Sequence, residues 1–172
     1  MNKVLPTSLL IAVIVLALIG FADSTFLLAK RLSGGPIPCV LGFTGCDTVS
    51  KSPYSVLFGI PLSAYGMVFY LGIGILGLLY LDTKKALFAR LLLPATALGF
   101  AMSAYFIYVQ KFLIGAFCIY CIISALTSTA LFGFGASIIY EIKGKTLVAK
   151  CIFVSVATIY LLSICYLLLR VL

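Results

Sequence analysis

Polar residues interrupt this chain rarely, and where they do they divide it into five long apolar runs. The runs extend over about 4–28, 62–81, 86–109, 116–140 and 147–169. Each holds roughly twenty residues or more, enough for a helix to cross a hydrocarbon core of about 30 Å. The later breaks are short and polar: Asp82-Thr83-Lys84-Lys85, Gln110-Lys111 and Glu141-Ile142-Lys143-Gly144-Lys145. The first run is too long for a removed signal peptide and lacks a small-residue cleavage site, so it reads as a retained helix. Pro94 offers a place for a kink in the third.

The one long non-spanning stretch is 32–60. Ser33-Gly34-Gly35-Pro36-Ile37-Pro38 cannot continue a helix. Cys39 and Cys46 follow, with Gly42 and Gly45 between them. From Cys46 to about Phe58 the pattern predicts a short helix, with Val49, Val56, Leu57 and Phe58 as apolar surface and a bend at Pro53. It is too short to span and is expected at the membrane surface. The predicted fold is therefore an all-α integral membrane protein, a single transmembrane domain over 1–172 with no internal repeat and no room for a second, soluble domain.

Composition sharpens this picture. Hydrophobic residues make up 64% of the chain and charged residues 9%, against roughly half and a quarter in soluble domains. The net charge of +8 would suggest nucleic acid in a soluble protein. Here the basic residues lie mostly between apolar runs, where they set topology and meet lipid headgroups. One side holds Lys3, Lys84, Lys85, Arg90, Lys143, Lys145 and Lys150; the other holds Lys30, Arg31, Lys51, Lys111 and Arg170. That bias favours a cytoplasmic N-terminus and an outer 32–60 loop. With no His, His-dependent triads and His-ligated zinc are excluded.

Six cysteines are then the most reactive groups. Cys118 and Cys121 form a C-x-x-C pair at the start of the fourth run, one helical turn apart on the same side. Counting crossings puts this start on the same side as the 32–60 loop. Cys39, Cys46 and Cys118 thus face one surface, with Cys121 a turn deeper, and outside the cytoplasm their disulfides can persist. Three readings compete. Structural disulfides are one, although a C-x-x-C bond closes too small a loop to stabilise much. A four-thiolate zinc site is another. The third, favoured on chemistry, is thiol–disulfide exchange between a flexible loop pair and a pair fixed at a helix start, where a thiol ionises more readily. Cys151 and Cys165 read as small apolar packing residues. Asp23, inside the first run, reads either as a functional or paired residue or as a wet one near the interface.

The residues also carry a resemblance. The run from Cys46 to Tyr54, including Ser52-Pro53, then Phe58-Gly59-Ile60-Pro61-Leu62-Ser63-Ala64-Tyr65-Gly66, then Phe117-Cys118-Ile119-Tyr120-Cys121, resembles the vitamin K epoxide reductase family. Cys39 and Asp23-Ser24 complete the pattern over roughly 10–140. The resemblance implies a four-helix transmembrane bundle around a quinone, with a fifth, peripheral transmembrane helix and a short surface helix in the first outer loop. It implies that Cys118 and Cys121 are the active-site pair, that Cys121 delivers electrons to the quinone, that Cys118 exchanges with Cys46, and that Cys39 exchanges with an outside protein thiol. Ser52 matches a family serine near the active centre, which implies a hydrogen bond from it to a quinone oxygen or a nearby thiolate. Tyr65 and Phe69, four apart on one face of the second span, are candidates to stack on the quinone ring, although Phe69 also suits ordinary helix packing. Val49 is a candidate to cover the pocket. At Ala125 animal members carry a quinone-binding Tyr, so their quinone contacts are not carried over.

The expected function is a membrane thiol–quinone oxidoreductase that reoxidises a thioredoxin-like partner, expected as a separate chain, and so supports disulfide formation outside the cytoplasm. The quinone is of the menaquinone, ubiquinone or vitamin K type. The expected setting is a bacterial or archaeal cytoplasmic membrane, crossed several times, with the active site facing out and with no nucleic acid involved. The rival readings are a vitamin K epoxide reductase in a salvage cycle and a non-enzymatic membrane module with structural cysteines.

Overall fold

A computed structural model of the chain describes residues 7–39, 44–142 and, singly, 151, 154, 155, 158, 162 and 165. Four long helices dominate it: α1 (Thr7–Leu32), α3 (Leu62–Thr83), α4 (Ala86–Val109) and α5 (Ile119–Ile142). Each is long and apolar enough to cross a membrane, so the chain is a multi-pass membrane protein. The fifth predicted span, 147–169, lies outside the described residues apart from the single positions, of which Cys151 and Cys165 are exposed. Their exposure differs from the packing role expected of them.

The helices form a ring in which α1 packs on α3, α3 on α4, α4 on α5 and α5 on α1. The inward residues explain why. Leu10, Val13, Ala17, Gly20 and Ser24 are buried on α1; Tyr70, Ile73, Gly77 and Tyr80 on α3; Ala89, Leu92, Thr96 and Gly99 on α4. All three series alternate steps of three and four, a seam that faces a partner helix along its length. In lipid such seams hold by close packing rather than by the hydrophobic effect, so small residues matter at them. Gly20 admits the Tyr70 ring, and Gly99 admits the Phe69 ring. Tyr70 Oη donates to the Ser124 carbonyl at 2.8 Å and pairs with Ser124 Oγ at the same distance, joining α3 to α5.

Three boundaries differ from the sequence reading. The first helix runs to Leu32 rather than stopping at 28. The third continues past Val109 through a π turn, Gln110–Ile114, that ends on Gly115 at φ 72°. The surface helix is shorter than expected: α2 spans only Cys46–Lys51. Ser52, extended because Pro53 follows it, ends α2. A 3-10 turn (Pro53–Ser55) and a small hairpin of β1 (Val56–Leu57) and β2 (Ile60–Pro61) replace the rest. Val56 pairs with Pro61 and Leu57 with Ile60. Phe58 and Gly59 both have positive φ, 51° and 81°, which suits the twist of a two-residue hairpin turn. The Phe58 side chain is 91% exposed at the tip.

Candidate active site

The outer loop is fastened to the bundle at named points. Arg31, at the end of α1, donates through Nη1 to the Ser50 carbonyl and to Ser55 Oγ. Tyr120 Oη donates to the Pro38 carbonyl at 3.0 Å, and Tyr65 Oη donates to the Leu57 carbonyl at 3.2 Å. At the centre of the loop Cys39 and Cys46 are joined in a disulfide with Cα atoms 5.7 Å apart.

That disulfide lies against the C-x-x-C pair. Cys46 and Cys118, 0% and 1% exposed, belong to one buried cluster with Ile37, Val49 and Ile119, and Cys39 and Cys121 pack against it. The approach depends on Gly45. A Cβ there would fall 2.7 Å from the Phe117 carbonyl oxygen and 2.9 Å from the Phe117 nitrogen. The residues just before Cys46 and Cys118 therefore touch through their backbones. Gly45→Ala is expected to push α2 off the start of α5, at a cost of about 1–3 kcal/mol, and to slow bonding between Cys46 and Cys118. Thermal unfolding and disulfide mapping would check the two effects.

Cys118 and Cys121 are free thiols. Cys118 sits just before the first residue of α5, and its carbonyl accepts the Ile122 N–H at 3.1 Å. Its own N–H donates to Gln110 Oε1 at 2.8 Å, and Gln110 is fully buried. The π turn thus delivers a glutamine that fixes the backbone of Cys118. A hydrogen bond from the Cys121 thiol holds the Cys118 thiol below its ordinary range. Burial opposes this, the N–H groups of Cys121 and Tyr120 assist it, and the Asp23 carboxylate opposes it more weakly. In the reduced protein, thiolate at Cys118 thus survives to lower pH than in the unfolded chain. The stability this lends is fully present above the unfolded thiol value of about 8.5 and is lost as pH falls through the lowered folded value. Alkylation of Cys118 by iodoacetamide is expected to begin at lower pH than for a free thiol. Cys121→Ala, which removes the leading hydrogen bond, should move that onset upward.

Below the cysteines lies a cavity of about 370 Å³ between the helices. Cys121 supplies the one thiol among its lining residues. Tyr65, Phe69 and Tyr70 line it from α3, Leu98 and Met102 from α4, and Asp23 and Ser24 from α1. Leu98 is 65% exposed and Met102 and Tyr65 are both 38% exposed, so part of the wall reaches the outer surface of the bundle, where lipid would lie. A volume of this size, mainly apolar walls and a few hydroxyls fit an apolar ring compound that arrives from the bilayer. Tyr65 and Phe69 line this space. Val49 and Ser52 are not among its lining residues: Val49 is buried in the cysteine cluster, and Ser52 Oγ donates to the Val49 carbonyl at 2.8 Å, closing the end of α2.

Arg31, Gly45, Gln110 and Ser124 were not singled out by sequence reasoning. A glutamine or arginine at the end of a span reads as an ordinary interfacial residue. Only a glycine directly before a cysteine gives a faint signal that backbones meet.

Comparison with known proteins gives matches over most of the described helices. The thiol-disulfide oxidoreductase LTO1 of Arabidopsis thaliana is 34% identical over 122 residues, which are 64% of this chain and 31% of that protein. The chain thus spans about a third of that relative's length. The model of the vitamin K epoxide reductase family matches residues 11–136, from α1 through most of α5, a range that holds both cysteine pairs and the cavity. The chain belongs to the vitamin K epoxide reductase family.

Proposed function

We propose that the protein is a membrane thiol–quinone oxidoreductase that takes electrons from a thioredoxin-like dithiol protein and passes them through two cysteine pairs to a membrane quinone. The observation that carries this reading is the contact between a closed Cys39–Cys46 disulfide and a free Cys118, Cys121 pair whose deeper member lines the cavity. The bound quinone supplies an acceptor for two electrons and two protons. Cys39, in the outer loop, exchanges with the partner's thiol, leaving Cys39 and Cys46 reduced and the partner oxidised. The Cys46 thiolate attacks Cys118 in an oxidised Cys118–Cys121 bond and releases Cys121 as thiolate. Cys39 then attacks Cys46, which restores the loop disulfide and frees Cys118. Loop pair closed and deep pair reduced is the arrangement of the four cysteines described above.

The helix-start position and the Cys121 hydrogen bond make Cys118 a good leaving group in that last exchange. Tyr65 and Phe69 offer rings for an apolar headgroup, and the exposed Leu98 and Met102 offer its side-chain tail a path to lipid. Val49 and Ser52 act from outside the cavity: Val49 packs α2 into the cysteine cluster, and Ser52 closes the end of α2. The excess of lysine and arginine on the opposite side of the bundle supports an outward-facing active site in a bacterial or archaeal cytoplasmic membrane. There the reaction would sustain disulfide formation in exported proteins.

The test is an assay of the purified protein in lipid with a reduced thioredoxin-like protein or a small dithiol as donor, and with a quinone or vitamin K epoxide as acceptor. Quinone consumption driven by the protein donor is expected. Turnover of the epoxide alone, or no turnover with either acceptor, would refute the assignment.

A further inference from the structure

Asp23 is the one carboxylic acid among the residues lining the cavity, which it shares with Cys121. Among the described residues, no hydrogen-bond donor meets its buried Oδ2 and it forms no salt bridge. A carboxyl with an unpaired buried oxygen inside a membrane-spanning helix is costly and marks a functional position by default. Its neighbourhood is closely built: Ser24, the next residue, is 3% exposed, and a Cβ on Gly66 of α3 would lie 2.7 Å from Ser24 Oγ. Asp23 therefore sits where α1 packs closely on α3, lining the same space as Cys121. Its charge also acts on Cys118.

Proton bookkeeping gives that position a task. Two electrons reduce the Cys118–Cys121 bond, and two protons must accompany them to a quinone that becomes a quinol. If Cys118 stays a thiolate, the reduced pair itself carries only the proton on Cys121. A negative charge arriving on the pair favours a proton on a neighbouring carboxyl.

Building on the proposed function, we infer that Asp23 stores the second proton, taking it up when the Cys118–Cys121 bond is reduced and giving it to a quinone oxygen when the bond reforms. The balance is complete. The Cys118 thiolate, the Cys121 thiol and the Asp23 carboxylic acid together hold two electrons and two protons. After transfer there is a Cys118–Cys121 disulfide, an Asp23 carboxylate and a quinol, with the net charge of the site unchanged. Titratable groups facing Asp23 are Cys121 and, at its helix start, Cys118 on the α5 side, and Tyr65 and Tyr70 on α3. The α4 residues lining the cavity do not titrate.

Two measurements on the full chain in lipid nanodiscs test this. In the absence of quinone, the infrared difference spectrum between dithiol-reduced and oxidised protein is expected to gain a neutral-carboxyl C=O stretch that is missing in Asp23→Asn. In single turnover, oxidation of the reduced pair by a short-chain benzoquinone is expected to slow about a hundredfold or more in Asp23→Asn, the range for loss of a positioned proton donor. Asp23→Glu should recover most of the rate. A wild-type spectrum without the carboxyl band, or Asp23→Asn reacting at the wild-type rate, would overturn the inference. Should Asp23→Asn fail to fold, the wild-type band and Asp23→Glu decide it. If the wild-type protein oxidises no thiol with quinone, the proposed function fails on its own, and the infrared measurement still decides whether Asp23 binds the proton.

Discussion

Cys121→Ala is expected to lower quinone reduction on the order of a thousandfold or more, to background, with every donor. Cys121 is the only thiol among the residues that line the cavity, and removing a reacting nucleophile costs more than removing a group that positions it. The substitution should leave the bundle folded. Cys121 lies on α5 at the edge of the cavity, and the change removes one small, partly buried sulfur. Exchange between Cys46 and Cys118 should persist in this variant and stop there, because the sulfur that completes the deep disulfide is gone. Stopped-flow absorbance of the quinone, with disulfide mapping of the same samples, separates the two effects. Rapid quinone reduction by Cys121→Ala would remove the role assigned to this residue.

Cys46→Ala separates the donors instead of abolishing the reaction. With a thioredoxin-like protein as donor, turnover is expected to fall to background, because Cys39 alone cannot pass electrons inward to Cys118. With a small dithiol, turnover is expected to continue. Cys118 is 1% exposed, so a small reagent must reach it past the loop. Losing the Cys39–Cys46 bond, which closes a loop with a sequence separation of 7, loosens that cover. A protein donor is too large to follow. The ratio of protein-driven to dithiol-driven rates therefore reports the relay itself, and equal loss with both donors would indicate that Cys46 holds the fold rather than carries electrons.

Much of this arrangement was legible in the sequence because few physical rules govern it. Apolar runs of spanning length leave little choice but helices in lipid. Counting crossings then places 39, 46 and 118 on one face. The start of α3 after Pro61 and the limits of α4 follow from proline and from a polar break. What stayed hidden depends on contacts between distant segments. The hairpin at Val56–Pro61 is too short to show alternation, and its turn places Phe58, a bulky residue, at positive φ. The π turn at Gln110–Ile114 continues a helix beyond Gln110-Lys111, the polar pair that closes the apolar run. Gln110 gains its importance only because the Cys118 N–H needs a buried acceptor. Ser52 matched a pattern, yet its hydroxyl is used by the Val49 carbonyl and lies away from the cavity lining. Asp23 was visible as an anomaly, and its place beside Cys121 required the packing of α1 against α5.

The proposed relay between the two pairs has one direct chemical signature. In Cys39→Ala, Cys46 can still attack the Cys118–Cys121 bond, but the thiol that would resolve the product is absent. Peptide mass mapping of this variant, oxidised with quinone and quenched by acid and alkylation, is expected to recover a Cys46–Cys118 disulfide with Cys121 alkylated. Recovery of only the Cys118–Cys121 bond, with Cys46 alkylated throughout, would contradict electron transfer between the pairs.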